Sequence, residues 1–225
     1  MRTVHTAVVT ARRMLTPRTV RITLTGESLT TAPPRVAADL EILLPGSDRE
    51  VKRHYTIRHA RPETGEIDLD VLLHEGHGPG AHWAATTRPG ETVRFVGPRG
   101  KMELRPADWY LLVGDESALP ALCVITEALD PGPVSYLLAE IGDEQDRVPV
   151  QATHLIWVRR DGSPPGSPHP LAAYLDELDP PAGHGRAYLL GESRAVTALR
   201  ARLPRLGIAA HDIFIKGYWN AKHDD

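Results

Sequence analysis

Apolar and polar residues alternate with period two over much of the first hundred positions. In the stretch Thr19-Val20-Arg21-Ile22-Thr23-Leu24-Thr25, Val20, Ile22 and Leu24 share one face while Arg21, Thr23 and Thr25 share the other. That is the pattern of a half-buried strand. Residues 6–11, 39–44, 54–58, 66–73 and 91–96 are further β-branched or alternating runs bounded by Pro or Gly. Arg61-Pro62-Glu63-Thr64-Gly65 has the composition of a hairpin loop, and Arg88-Pro89-Gly90 that of a tight turn. Six short strands joined this way predict a small antiparallel β-barrel, because closure removes exposed edges. One short helix is predicted at 81–86.

The pattern changes after Pro98-Arg99-Gly100. Tyr110-Leu111-Leu112-Val113 is wholly apolar, as a strand buried on both faces would be. Residues 116–129 place Leu119, Leu122, Ile125 and Leu129 on one helical face, with Pro120 in the first turn, where a missing N–H costs little. Strands at 134–139, 154–158, 187–190 and 212–215 follow, with helices at 170–178 and 194–203. The last of these helices aligns Val196, Leu199 and Leu203. Buried strands alternating with helices predict a parallel α/β layer, whose ligands bind at the carboxyl ends of its strands. The expected division is a barrel domain, 1–104, and an α/β domain, 105–225.

Composition narrows the function. A net charge of −3 over 225 residues gives no footprint for nucleic acid or anionic membranes. No run has the length of a membrane span or the character of a signal peptide, so membrane insertion is not expected and the cytoplasm is. The single cysteine, Cys123, lies in Leu122-Cys123-Val124-Ile125 and reads as a buried thiol in a reducing compartment.

The chemistry-bearing residues concentrate in two segments. Arg53-His54-Tyr55-Thr56-Ile57-Arg58 offers cations, an aromatic face and a hydroxyl. His74-Glu75-Gly76-His77-Gly78-Pro79-Gly80-Ala81 follows a strand and leads toward Trp83, so its backbone N–H groups and helix dipole suit phosphate oxygens. Together they read as a cradle for a flat, phosphate-bearing cofactor; separately, each is equally a plain turn or a surface charge. His74-Glu75-Gly76-His77 is one residue short of the helical zinc pattern, and no cysteine or carboxylate cluster has zinc spacing, so no protein-bound metal is expected. Ser117 lacks the glycine spacing of a nucleophile elbow, and Gly97-Pro98-Arg99-Gly100-Lys101-Met102 lacks that of a P-loop. Gly114-Asp115-Glu116 and Gly191-Glu192-Ser193 each end an apolar strand before a helix. They read either as helix caps or as loops shaping a nicotinamide pocket.

In this order the motifs resemble the siderophore-interacting protein family of FAD-dependent ferric-siderophore reductases. The resemblance rests on Arg53-x-Tyr55-Thr56-x-Arg58, Asp70-Val71-Leu72-Leu73-His74, and Gly78-Pro79-Gly80-x-x-Trp83-Ala84. It extends through Gly114-Asp115-Glu116-Ser117-Ala118-Leu119-Pro120-Ala121, Gly191-Glu192 with Arg194, and Gly217-Tyr218-Trp219. It implies a ferredoxin-reductase-like architecture: a flavin-binding barrel and an α/β domain facing NADH or NADPH. By motif position, Arg53, Tyr55 and Thr56 would hold the isoalloxazine and ribityl parts of FAD. His74 would lie beside the flavin and Gly78, Pro79, Gly80 and Ala81 at its pyrophosphate, with His54, Asp70, Val71, Leu73 and Trp83 also counted among the cofactor-binding residues. Asp115, Glu116, Ser117 and Ala118 would complete the cofactor site. The chain departs from the family pattern at Gly80, where alanine is usual, at Ala81, where serine is usual, and at Asn220, where arginine is usual.

The resulting expectation is a monomeric enzyme passing electrons from NAD(P)H through FAD to siderophore-bound Fe(III), with release of Fe(II). No protein nucleophile is required, since the flavin carries the chemistry. Lys216, Lys52 and Arg58 are the cations expected to meet an anionic siderophore, with Tyr218 and Trp219 beside them. Two alternatives stay open: a flavin reductase or diaphorase with another acceptor, and a siderophore-binding module without turnover.

Overall fold

The computed structural model describes residues 3–30, 33–46, 49–74 and 78–221. The chain separates into two compact units, Met1–Glu103 and Leu104–Asp225.

The first unit contains strands β1 (His5–Met14), β2 (Thr19–Thr25), β3 (Asp39–Leu44), β4 (Val51–Arg61), β5 (Glu66–Leu72) and β6 (Thr92–Arg99). They close in the order β1-β2-β5-β4-β3-β6, every pair antiparallel. Alternation along each strand fills the interior. Val20, Ile22 and Leu24 of β2 meet Leu40 and Ile42 of β3, Ile67, Leu69 and Val71 of β5, and Phe95 of β6 in one core. Helix α1 (Pro79–Thr86) packs Ala84 and Trp83 onto that core. Irregular register between Ile57 and His59 of β4 marks a bulge. Several strands exceed their predicted bounds, β1 and β4 most. Their extra residues are exposed or half-buried, so no apolar alternation marks them.

The second unit is a five-stranded parallel sheet of β7 (Trp109–Gly114), β8 (Val134–Ile141), β9 (His154–Arg159), β10 (Gly185–Glu192) and β11 (Ile213–Trp219). Its order is β11-β10-β7-β8-β9. The chain therefore winds outward from β7 to β9, then returns to place β10 on the other side of β7. The crevice between the carboxyl ends of β7 and β10 is the topological switch point. Helices α3 (His169–Glu177) and α4 (Ser193–Arg200) bury Leu171, Leu175, Val196 and Leu199 with Leu111, Val113 and Leu189 of the sheet. Helix α2 (Leu119–Ala128) buries seven of its ten residues, Leu122, Cys123 and Ile125 among them. The crossover from β8 to β9 contains only a 3-10 turn, Glu144–Asp146.

Two predicted helices are corrected. The helix expected over 116–129 begins as a 3-10 turn, Glu116–Ala118, and becomes α-helical only at Leu119. The cause is Asp115, whose carboxylate accepts the Ser117 N–H at 2.9 Å and holds the first turn tight. The helix expected over 194–203 ends at Arg200, and Leu203 opens a separate 3-10 turn.

Candidate functional site

Strand β4 and helix α1 bring the first set of residues together. Arg53, Tyr55 and Ile57 alternate on one face of β4, opposite Ile42 and Leu40 of β3. Ile57 is buried in the barrel, Tyr55 packs against the core, and Arg53 is exposed at the near end of the row. The Tyr55 ring lies 5.7 Å from that of Trp83 at 32°. Burial pushes its hydroxyl up to about 12, so it stays a proton donor at any ordinary pH. Thr56, on the opposite face, is buried.

Helix α1 starts at Gly78, an extended residue without a side-chain acceptor, followed by Pro79, which has no N–H. Its first turn carries no acidic residue, and the N–H groups there have no partner within the helix. Gly80 is buried, and a Cβ there would press on the Tyr55 hydroxyl and stand 3.0 Å from Arg53 Cγ. Gly78 is open by contrast, since a Cβ would meet only His74 Cε1, at 4.0 Å, among the described residues. His74 is exposed, and Leu73 packs against the barrel core. Glu75, Gly76 and His77, part of the predicted glycine turn, lie outside the described residues. The stem of Arg53, the Tyr55 ring with its hydroxyl and a helix N-terminus thus converge. This donor set fits a flat group bearing phosphates.

The neighbouring predicted residues are tied into the barrel wall. Asp70 forms a two-pronged pair with Arg21, at 2.6 and 2.7 Å. His54 Nδ1 lies 3.0 Å from Asp39 and 3.1 Å from Arg99, and Lys52 Nζ lies 3.4 Å from the buried Glu41. Val71 is a core residue, and Arg58 is half-buried beside the bulge. Asp39, Glu41 and Arg99 were not anticipated; an acid every second residue in an otherwise apolar strand was the available signal.

In the second unit, the predicted loops meet at the switch point. Asp115, at the end of β7, accepts from Ser117 N and Oγ through one oxygen. Through the other it accepts from Glu192 N and Trp219 Nε1, both at 2.9 Å. Gly191, at φ 146°, lets that oxygen approach, since a Cβ would stand 2.7 Å from it. Burial pushes Asp115 up against the pull of these donors. Glu192 accepts from Ala195 N at 2.7 Å, capping α4, and from Ala221 N at 3.1 Å. Glu116 accepts from Gly142 N at 2.8 Å and pairs with Arg160, which also reaches Glu140 at 3.3 Å. Burial raises Glu140 to about 7. Asp115, Glu140 and Glu192 line a small recess with Gly114, Gly166 and Leu190. Asp115 and Glu192 thus act as caps on the turn and the helix that follow them. Glu140 and Arg160 escaped sequence reasoning because each only ends or follows an apolar run.

Lys216 and Tyr218 project from one side of the edge strand β11, with the ammonium 5.1 Å from the ring centroid. Trp219 is held by Asp115, and its carbonyl accepts from Ser193 Oγ at 3.0 Å. Ser117 is half-buried against Asp115, and Ala118 is fully buried. No group of three or more His, Cys, Asp or Glu among the described residues could hold a metal. No described helix is long and apolar enough to cross a membrane.

Residues 31–102 match the siderophore-interacting FAD-binding domain, and residues 107–222 match the siderophore-interacting protein family. The ferric vibriobactin reductase ViuB of Vibrio cholerae is 28% identical over 92% of this chain and 86% of its own length. A siderophore utilization protein from T. fusca superposes with a TM-score of 0.88 at 26% identity, covering 99% of this chain and 94% of that one. SipS, the siderophore-interacting protein of Aeromonas hydrophila, gives 0.87 at 26% identity with the same coverage. With both units matched by the two halves of one family, in the same order, this chain belongs to the siderophore-interacting proteins.

Proposed function

We propose that the protein is an FAD-dependent ferric-siderophore reductase. In this reading electrons from NADH or NADPH reach siderophore-bound Fe(III), and Fe(II) leaves. The carrying observation is the convergence of Arg53, Tyr55 and the first turn of α1 around Gly80. When bound, FAD supplies the conversion of a two-electron donor into single-electron steps. Arg53 and the N–H groups of Gly80 and Ala81 would hold its pyrophosphate, with Gly78 leaving room for close approach. Tyr55, braced by Trp83, would present a wall to the bound group, and the exposed His74 would border it.

Lys216 and Tyr218 are the residues of this chain best suited to an anionic, aromatic-bearing ferric siderophore, being a cation and a ring on one face of an edge strand. Lys52 is already engaged by Glu41, and Trp219 by Asp115. Hard oxygen ligands hold Fe(III) tightly and Fe(II) weakly, so reduction is itself the release step.

A visible spectrum of the purified protein, before and after incubation with FAD, tests the cofactor. Flavin bands are expected near ~450 nm, and their absence in both samples would sink the enzyme reading. Anaerobic reduction with NADH or NADPH, then addition of ferric siderophore with an Fe(II) chelator, tests the reaction. Reoxidation with formation of the coloured Fe(II) chelate is expected. A reduced protein that no ferric complex reoxidises, yet that free quinones do, would make it a diaphorase.

A further inference from the structure

Strand β1 carries a cation on a face where a barrel wants apolar residues. By plain alternation Arg12 would point outward with Val8 and Thr10, away from the buried Ala7 and Val9. The register shifts between Val9 and Ala11, however, and the extra residue there reverses which side chains face inward. Beyond this bulge Arg12 pairs with Ile22, and residues directly opposite one another share a face. Ile22 is fully buried in the barrel core. Arg12 is thus a half-buried arginine on the interior side, where a guanidinium without a partner is costly. Its partner is α1: Nε donates to the Ala84 carbonyl at 3.0 Å, across 72 positions of sequence.

Helix α1 needs that contact at its C-terminal end. The chain leaves the helix at Thr87, whose N–H reaches back to the Trp83 carbonyl at 2.8 Å. The carbonyls after Trp83 therefore have no partner within the helix. Ala84 is fully buried, which makes an unpaired carbonyl there costly. The last turn has no basic residue of its own, and Glu91, which accepts from Thr87 Oγ1 at 2.9 Å, brings an anion to that end. Arg12 supplies both the donor and the positive charge. With eight residues α1 is only about 12 Å long, so charge at its end is felt at its start. A cation there offsets the negative pole of the helix dipole and leaves the positive pole to an anion at the N-terminus.

Resting on the FAD reading above, we propose that Arg12 is a positioning residue for the cofactor. It fastens the C-terminal end of α1 to the barrel and, through the helix, strengthens the hold of the first turn on the flavin phosphates. It acts from the far end of the helix and not by contact with the ligand, and the β1 bulge is what aims it.

The experiment compares FAD with riboflavin, which keeps the ring and ribityl chain but has no phosphate. Dissociation constants are measured by flavin fluorescence, without turnover, for the wild type, Arg12→Met, Arg12→Gln and Arg12→Lys. Arg12→Met is expected to weaken FAD about fivefold, the scale of one charge at a helix terminus, and to leave riboflavin within about twofold. Arg12→Lys keeps the charge and should restore most of the FAD affinity. Arg12→Gln, which keeps a donor without the charge, should fall between. Hydrogen exchange of the flavin-free protein gives a second readout. The Thr87 amide, bonded to Trp83, and the His82 amide, bonded to Gly78 at 3.0 Å, should exchange several-fold faster in Arg12→Met, while β2 and β5 amides keep their rates.

Equal losses for FAD and riboflavin in Arg12→Met would overturn the proposal, and so would unchanged FAD affinity. Exchange quickened as much in β2 and β5 would overturn it too, since Arg12 would then serve the barrel as a whole. Wild-type protein that binds neither flavin would defeat the FAD reading and this inference with it. Wild-type protein that binds FAD no better than Arg12→Met would defeat the inference alone.

Discussion

Arg53 is exposed on β4, and its Nη1 donates to the Lys52 carbonyl at 2.9 Å, so the guanidinium keeps donors for a ligand. Lys216 is engaged with an aromatic ring of its own strand. The two cations should therefore fail differently. Arg53→Ala is expected to weaken FAD binding by ~10- to 100-fold, the loss of a charge-assisted phosphate contact, measured by fluorescence titration. Lys216→Ala should leave FAD affinity within about twofold and raise the apparent KM for an anionic ferric siderophore several-fold. Equal loss of flavin in both variants would show that the two roles are wrongly divided. At this scale the sequence was informative about which residues matter and silent about what they touch. Arg53, Tyr55 and Gly80 were legible as cradle chemistry, but the approach of Tyr55 to Gly80 joins positions 25 residues apart, and no local pattern encodes it. Asp70 is legible only by its place in a motif, and its partner Arg21, which takes both its oxygens, is set by strand register.

Among the elements, alternation made the barrel strands legible wherever one face is buried, and blurred them where β1 and β4 run on into exposed residues. The parallel strands were legible as continuous apolar runs, for the reason that both faces are covered. What pattern could not supply is how the strand ends are tied. Asp115 joins the end of β7 to Glu192, the last residue of β10, and to Trp219 of β11, and Glu192 caps α4 while holding Ala221. Of the two readings open for these acids, capping is the one the hydrogen bonds bear out. Glu192 is 1% exposed and accepts two backbone N–H groups. Glu192→Ala should therefore destabilise the second unit by about 2 kcal/mol, more than an exposed N-cap, because it strands buried donors. Urea denaturation would measure the loss. Glu192→Gln, which keeps an acceptor, should recover a good part of it. A Glu192→Ala variant as stable as the wild type would mean that solvent reaches those N–H groups.

For the whole molecule, the two units carry buried acids displaced in opposite directions, so pH should act on them with opposite sign. In the barrel, Asp68 is 5% exposed and is bonded by Arg61, Thr23 and His59, which hold it down at about 2 against burial. A carboxyl whose folded pKa lies below its unfolded one stabilises the fold above the unfolded value, and that stability is lost as pH falls through the folded one. The barrel should thus lose about 2 kcal/mol between pH ~5 and ~2, and Asp68→Asn should flatten that slope. In the sheet unit, Glu140 is 1% exposed, and burial lifts it to about 7 despite Arg160. Here the folded pKa is the higher. The stabilisation is complete below the unfolded value of 4.5 and is lost as pH rises through about 7, a cost of about 3 kcal/mol by pH 8. Glu140→Gln should remove that slope, so its advantage over wild type should be greater at pH 8 than at pH 5. Hydrogen exchange separates the units, with β2 and β5 amides reporting the barrel and β7 and β8 amides the sheet. Protection in the first set should weaken toward acid, and in the second toward neutral pH and above. The same slope in both sets would mean that the units unfold as one, and would defeat the assignment of each slope to its own buried acid.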